Sequence, residues 1–494
     1  MEPNTLASRP RVRVTGSLIF LMLFVILMSV FFFLPQSLRL DEAQSLWQTS
    51  RSPLKILNVI AQDVHVPFYH MLLHFWRLYF GTSVVTARVL SLVFFVLSVP
   101  AIYFLGKRAY GKQEGLFAAL LLSISPFMNW YGNEIRMYSL FTFLTIVSHY
   151  FFLRIYQRRG DTGRTDWILY GIVSVLGIFT HYFFFFNLAT QGLFYLFNKK
   201  SFASGDMKRF VTVAVLLAVA FLPWVIYVLT LGTISNSSPQ LASPTTINIF
   251  NTFSQFLFGF QTDYVNTIII SLWPLVVLFA FLGLRKRRSV LGETLYFSTA
   301  LIVPIVLAFV ISILIRPLYL SRYLILSLPP LYLILANFTS SFEPKARRIL
   351  RFTLVIVMLA MLVIESVSAV TPVKENYHLA TEYLEAHAIP SDVIVVSAPF
   401  TVYPIEYYYQ GPTAITTLPT WNRLEYGAIP AFDPKTLPQQ VDQIKNGHDN
   451  IWLLLSYDQG YEEQVRMYFD THFERLDVQN FSPGMNLYKY RVRY

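Results

Sequence analysis

The chain has 494 residues, 54% of them hydrophobic and 14% charged, with a net charge of +11 and no cysteine. Typical globular domains carry about 25% charged residues, so an ordinary soluble protein is excluded. The lack of cysteine excludes disulfides, thiolate catalysis and Cys-ligated metal.

Apolar runs near the length needed to cross a bilayer recur over the first 370 positions. Backbone groups in lipid must be satisfied internally, so these runs predict helices. The predicted spans are 16–34, 84–106, 114–130, 137–156, 167–180, 182–197, 210–230, 265–283, 293–315, 319–339 and 351–370, about eleven in all. The first has a basic start, Arg9, Arg11 and Arg13, but is longer than a signal-peptide core and lacks a clear cleavage site, so it reads as a retained helix.

Positive charge falls on alternate connections. The clusters are Arg9/Arg11/Arg13, Lys107/Arg108/Lys112, Arg154/Arg158/Arg159/Arg164, Lys199/Lys200/Lys208/Arg209, Arg285/Lys286/Arg287/Arg288 and Lys345/Arg347/Arg348/Arg351. This pattern marks cytoplasmic loops, not a nucleic-acid surface. It predicts a multi-pass plasma-membrane protein with its N-terminus in the cytoplasm and its C-terminus outside. The segment 35–83 then lies outside, with two amphipathic interfacial helices, Asp41–Ser50 and Pro67–Phe80. A second outside segment, 231–264, holds another such stretch, Ile247–Phe260.

After about Thr371 the charges become mixed and the hydrophobic runs shorten. Helices are predicted at 377–387, 404–409, 435–445 and 461–475, and strands at 393–397, 414–418, 451–457 and 485–492. Strands alternating with helices predict a small α/β domain. The expected organisation is a polytopic α-helical membrane domain, 1–371, followed by an extracytoplasmic α/β domain, 372–494.

Polar residues able to do chemistry gather on the predicted outer side. Asp41-Glu42 follows the first span. The pair reads equally as an acidic helix start, favoured by the helix dipole, or as a general base tuned by partial desolvation. Asp63 and His65 precede Pro67; they fit a polar turn, contacts to a phosphate or hydroxyl, or, with Asp41, an oxygen/nitrogen metal site. Glu134, Arg136 and Tyr138 lie between two spans. An arginine at membrane depth is costly and points to function, and its planar fork matches phosphate oxygens. Arg322 and Tyr323 lie at the outer end of a later span, where snorkelling to headgroups is the alternative. His181-Tyr182, in a short outer turn, reads as structural.

The first span followed by Asp-Glu, the long outside loop with His65-Val66-Pro67, the run Arg88-Val89-Leu90-Ser91, the stretch from Ser125-Pro126 to Arg136-Met137-Tyr138, and Arg322-Tyr323 before Pro329-Pro330 together resemble the GT-C membrane glycosyltransferases. The resemblance is to the protein O-mannosyltransferase-like group, related to aminoarabinose transferases, and covers about the first 340 residues. Val66 stands where that group usually shows a first proline. The resemblance implies a GT-C-like fold, a polyprenyl-phosphate-linked sugar donor and transfer on the outer face to an extracytoplasmic acceptor (protein, lipid or glycan); no cofactor is expected. It makes Asp41 the expected base, supported by Glu42, and assigns the donor phosphate to His65, Arg136 and Arg322; Asp63, Glu134, Tyr138 and Tyr323, from their own place on the outer side, are further candidates for binding the substrate. No metal is expected, although a divalent ion stays open. The alternative is a lipid or sugar transporter or flippase, which needs polar residues at mid-bilayer; the predicted spans carry few.

Overall fold

A computed structural model describes residues 14–63, 65–158, 163–231, 241–271, 290–423 and 429–492. Arg9, Arg11, Arg13, Arg159, the 285–288 cluster and the greater part of the predicted 265–283 span lie outside the described residues.

The helices come in the predicted order. They are α1 (Val14–Met28, extended by a π turn over Ser29–Phe33), α2 (Leu40–Thr49), α3 (Pro53–Ala61), α4 (Phe68–Phe80), α5 (Val84–Ala109), α6 (Lys112–Ile124), α7 (Pro126–Gly132), α8 (Tyr138–Arg158), α9 (Arg164–Thr180) and α10 (Phe184–Phe197). Then follow α11 (Asp206–Thr230), α12 (Thr246–Phe258), α13 (Asp263–Ser271), α14 (Leu291–Leu314), α15 (Leu328–Thr339) and α16 (Pro344–Val367). Six described segments are long and apolar enough to cross a membrane: α1 with its π turn, α5, α8, α11, α14 and α16.

Several of the other predicted spans are shorter or divided. The 114–130 run divides at Ser125-Pro126. Proline lacks an N–H and suits the first helical position, and the Ser125 hydroxyl caps α7 by accepting from the Met128 N–H at 3.0 Å. The 319–339 run divides into a 3-10 turn, Ser321–Ser327, and α15, whose first turn contains Pro329 and Pro330. The runs 167–180 and 182–197 are separate helices, parted at His181. Helix α3 was not predicted; Pro53 opens it at a favourable position.

The chain forms two compact units. The first comprises Met1–Leu34, Val89–Ala220 and Leu241–Ser366. Here α6 packs on α1 and α15, α14 on α10 and α15, and α8 on α9. The α5–α6 hairpin closes on glycine: a Cβ on Gly115 would lie 2.6 Å from the Tyr103 carbonyl oxygen. Deeper in, Phe152, Phe194 and Tyr296 form an aromatic core with centroids 4.9 and 5.0 Å apart.

The second unit comprises Pro35–Arg88, Phe221–Gln240 and Val367–Tyr494. Its sheet contains β1 (Val393–Ser397), β2 (Ala414–Thr417), β3 (Asn450–Ser456), β4 (Glu474–Ser482) and β5 (Met485–Arg491), in the order β2-β1-β3-β5-β4. β1 runs parallel to β2 and β3, while β5 runs antiparallel to β3 and β4. Helices α17 (Tyr377–His387), α18 (Val402–Tyr408), α19 (Leu437–Lys445) and α20 (Glu462–His472) accompany the strands. β1 and β3 are apolar and buried along almost their whole length, as central strands covered on both faces should be. β4 is the strand that the sequence hides. It is a largely polar edge, ERLDVQNFS, with only Ser482 buried. The segment 35–88 packs on this domain through α2 and α18: Trp47 and Tyr403 lie 5.0 Å apart, and the Leu38 N–H donates to the Tyr408 hydroxyl at 2.9 Å.

Candidate active site

Helix α2 presents two chemically different faces. Residues 42, 45, 46 and 49 share the buried one. Glu42 is fully buried there and accepts from Arg88 Nε at 2.8 Å and Arg88 Nη2 at 2.5 Å. Its Oε2 also accepts from the Arg39 backbone N–H at 2.9 Å, which closes the helix start. Arg88 donates further to the Gln36 and Ser37 carbonyls. Burial alone would push the Glu42 carboxyl upward; Arg88, helped by Arg39, more than reverses this and holds it below the ordinary carboxylate range. On the same side Arg77 donates to the Leu46 carbonyl and the Thr49 hydroxyl, each at 3.1 Å.

Asp41, Gln44 and Gln48 stand three and four residues apart, a spacing that puts them on one helix face. All but Gln48 are half-buried. Gln44 and Gln48 donate to Asp63 Oδ2 at 3.3 and 2.7 Å. Asp63 in turn lies 3.9 Å from His65 Nε2, and His65 faces His70 with ring centroids 5.7 Å apart. Gln44 and Gln48 thus hold Asp63, with His65 beside it, against the helix face whose spacing also includes Asp41.

Glu375 was not singled out from the sequence. Burial raises its pKa first, and the Asp41 carboxylate adds to the rise, while a backbone hydrogen bond and Arg39 oppose it. Nothing in the sequence points to Glu375, which follows Asp41 by more than 300 positions.

The other predicted residues belong to the first unit. Arg136 is 2% exposed, in the turn between α7 and α8, and the Ser91 hydroxyl donates to its carbonyl at 3.4 Å. Glu134 is buried in the same turn, and its carbonyl accepts from the Arg136 N–H at 2.6 Å. Tyr138 opens α8, with its ring 5.1 Å from Tyr131. Arg322 and Tyr323 lie on the 3-10 turn that packs against α8, the guanidinium 5.6 Å from the Tyr323 ring centroid. His181 connects the two: it stacks on Phe141 at 4.8 Å and 14°, and lies 5.3 Å from Tyr323. Arg136-to-Tyr138 and Arg322-Tyr323 are thus borne by contacting elements. Beside them Phe260 meets Trp130 and Tyr131, both at 5.9 Å, and its N–H donates to Glu365.

Among the described residues no cluster of three or more His, Asp or Glu side chains is set to hold a metal ion.

Residues 64–227 match the family model described as dolichyl-phosphate-mannose-protein mannosyltransferase. No curated protein sequence matches the chain. Among solved structures, the chain is similar to ArnT from Cupriavidus metallidurans, at 12% identity and a TM-score of 0.64, over 96% of this chain and 98% of that one. The same protein bound to undecaprenyl phosphate matches with a TM-score of 0.61. The archaeal oligosaccharyltransferase AglB from Archaeoglobus fulgidus, in complex with an inhibitory peptide and a dolichol-phosphate, matches at 12% identity and 0.55, over 96% of this chain and 74% of that one. The arabinofuranosyltransferase AftD from Mycobacteria matches at 15% identity and 0.54, over 97% and 40%. These likenesses show a shared fold, the GT-C-like helical architecture with a small C-terminal sheet that the sequence led us to expect.

Proposed function

We propose that the chain is a membrane glycosyltransferase that moves a sugar from a polyprenyl-phosphate donor to a hydroxyl on an extracytoplasmic acceptor. The family match and the solved structures with undecaprenyl phosphate and dolichol-phosphate support the donor class. The observation that carries the residue assignment is the division of work on α2. Glu42 is committed to Arg88, whereas Asp41 stands on the half-exposed polar face with Gln44, Gln48 and the Asp63–His65 pair.

In this reading the acceptor oxygen attacks the anomeric carbon and gives its proton to Asp41. The bond from that carbon to the phosphate oxygen breaks, and polyprenyl phosphate leaves with the electron pair. Attack opposite the leaving group inverts the anomeric centre. Arg136 and Arg322 neutralise the leaving phosphate, as fixed cations do most effectively where charge develops. His65 donates to a phosphate or hydroxyl oxygen. The distribution of Lys and Arg supports a cytoplasmic N-terminus and an extracytoplasmic C-terminal domain.

The test is transfer of radiolabelled sugar from a polyprenyl-phosphate donor by the purified protein in detergent. Wild-type protein is expected to transfer. Asp41→Asn is expected to lose roughly 10²- to 10⁴-fold in kcat, the usual contribution of a general base, with an unchanged unfolding temperature. Full activity in folded Asp41→Asn protein would remove Asp41 as the base.

A further inference from the structure

A groove of about 460 Å³ runs along the first turns of α16, within the first unit. Its walls include Phe117 and Leu120 of α6 and Arg347, Arg348, Arg351 and Phe352 of α16. No acidic side chain lines it, so its charge is entirely positive. The polar and apolar parts are ordered along the helix. Arg347 and Arg348 lie near its start, Arg351 follows one turn later beside Phe352, and Val355 lies a turn beyond, with Phe352 and Val355 about 6–12 Å deeper than the first two arginines at 1.5 Å per residue. Since α16 is a membrane-crossing candidate by length and composition, this order suits Arg347 and Arg348 at headgroup depth with the apolar wall at acyl depth.

The three arginines are not equivalent. Arg351 is a fixed wall: Nε donates to Thr339 Oγ1 at 3.0 Å, Nη2 donates to Ser340 Oγ at 2.7 Å and the Ala336 carbonyl at 3.2 Å, and the guanidinium lies 4.5 Å from the Phe117 ring centroid. Ser340 passes a hydrogen bond to Glu114 at 2.8 Å, which anchors that wall to α6. Arg347 donates to the Phe342 carbonyl at 3.3 Å, and its buried Nε–H meets no partner among the described residues. Arg348 is exposed. Two guanidinium groups with donor capacity therefore face an apolar trough held in place by a third.

We infer that this groove binds one anionic membrane phospholipid, with its phosphate on Arg347 and Arg348 and an acyl chain along Phe117, Leu120 and Phe352. Basic pockets between membrane helices suit anionic headgroups, and the apolar wall favours a lipid over a free anion. The site uses none of the residues assigned to sugar transfer and does not depend on that assignment.

The experiment is native mass spectrometry of the full chain in detergent, titrated with phosphatidylglycerol or with phosphatidylcholine of identical chains. Wild-type protein is expected to retain phosphatidylglycerol preferentially. Each arginine near an anionic headgroup is expected to account for about 5-fold in affinity, so Arg347→Ala/Arg348→Ala should lose about 25-fold, while phosphatidylcholine retention stays unchanged. Arg348→Gln alone changes an exposed side chain, leaves the fold untouched and should lose about 5-fold. Equal retention of the two lipids, or unchanged phosphatidylglycerol retention in Arg348→Gln, would overturn the inference. So would displacement of the lipid by millimolar inorganic phosphate, which would make the groove a simple anion site.

Discussion

Consecutive helical residues point about 100° apart, so Asp41 and Glu42 cannot share a face, and their chemistry separates accordingly. Glu42 and Arg88 are a fully buried pair, 0% and 1% exposed. Removing one partner of such a pair strands a buried charge and destabilises by about 3–5 kcal/mol. Glu42→Gln is therefore expected to lower the unfolding temperature markedly in detergent, and an unchanged temperature would contradict the structural role assigned to Glu42. The pair also sets a pH dependence. A carboxyl held low in the folded state stabilises fully above its unfolded pKa, about 4.3, and that contribution is lost as pH falls through the lower folded value. Stability should accordingly drop on acidification below about pH 4, and drop less in Glu42→Gln. Because guanidinium groups are assigned to the leaving phosphate, sugar transfer is expected to persist in EDTA. Loss of transfer that magnesium restores would return a metal to the mechanism.

At the scale of elements, the breaks between helices carry as much information as the helices. α12 ends at Gly259, whose φ of +68° and ψ of −151° suit glycine almost alone. A Cβ there would also collide with the Glu365 carboxylate and with Pro126, so α12, α7 and α16 meet at a point with no room for a side chain. Gly259→Ala is expected to cost about 1–3 kcal/mol from backbone strain. It should also displace Phe260 from Trp130 and Tyr131, readable as a change in tryptophan fluorescence. Normal stability and an unaltered spectrum would show that the junction tolerates a methyl group. Similar reasoning explains the divided spans. Pro126, Pro329 and Pro330 each occupy a first helical turn, where the missing N–H does no harm, so proline starts a helix here where a hydropathy window runs straight through.

At the scale of the whole molecule, the C-terminal segment completes the unit that contains Asp41. Trp47 packs on Tyr403, and Arg423 lies 5.5 and 5.3 Å from those two rings. A chain truncated after residue 371 is expected to show faster amide exchange across 40–61 and no transfer; unchanged exchange there would mean that α2 holds its place without α18. The six long apolar helices and their order were legible in the sequence because hydropathy is a property of a contiguous stretch, and so were the central strands β1 and β3. The polar edge strand β4 was not, since no apolar alternation marks it. Asp41, Asp63, His65, Arg136 and Arg322 were legible as polar residues out of place in an apolar chain. Only the tertiary structure decided that Glu42 belongs to Arg88 and that Gln44 and Gln48 hold Asp63. The physical reason is range: burial in lipid is settled by neighbours along the chain, whereas the state of a carboxylate is settled by charges a few ångströms away that the sequence places tens or hundreds of residues apart.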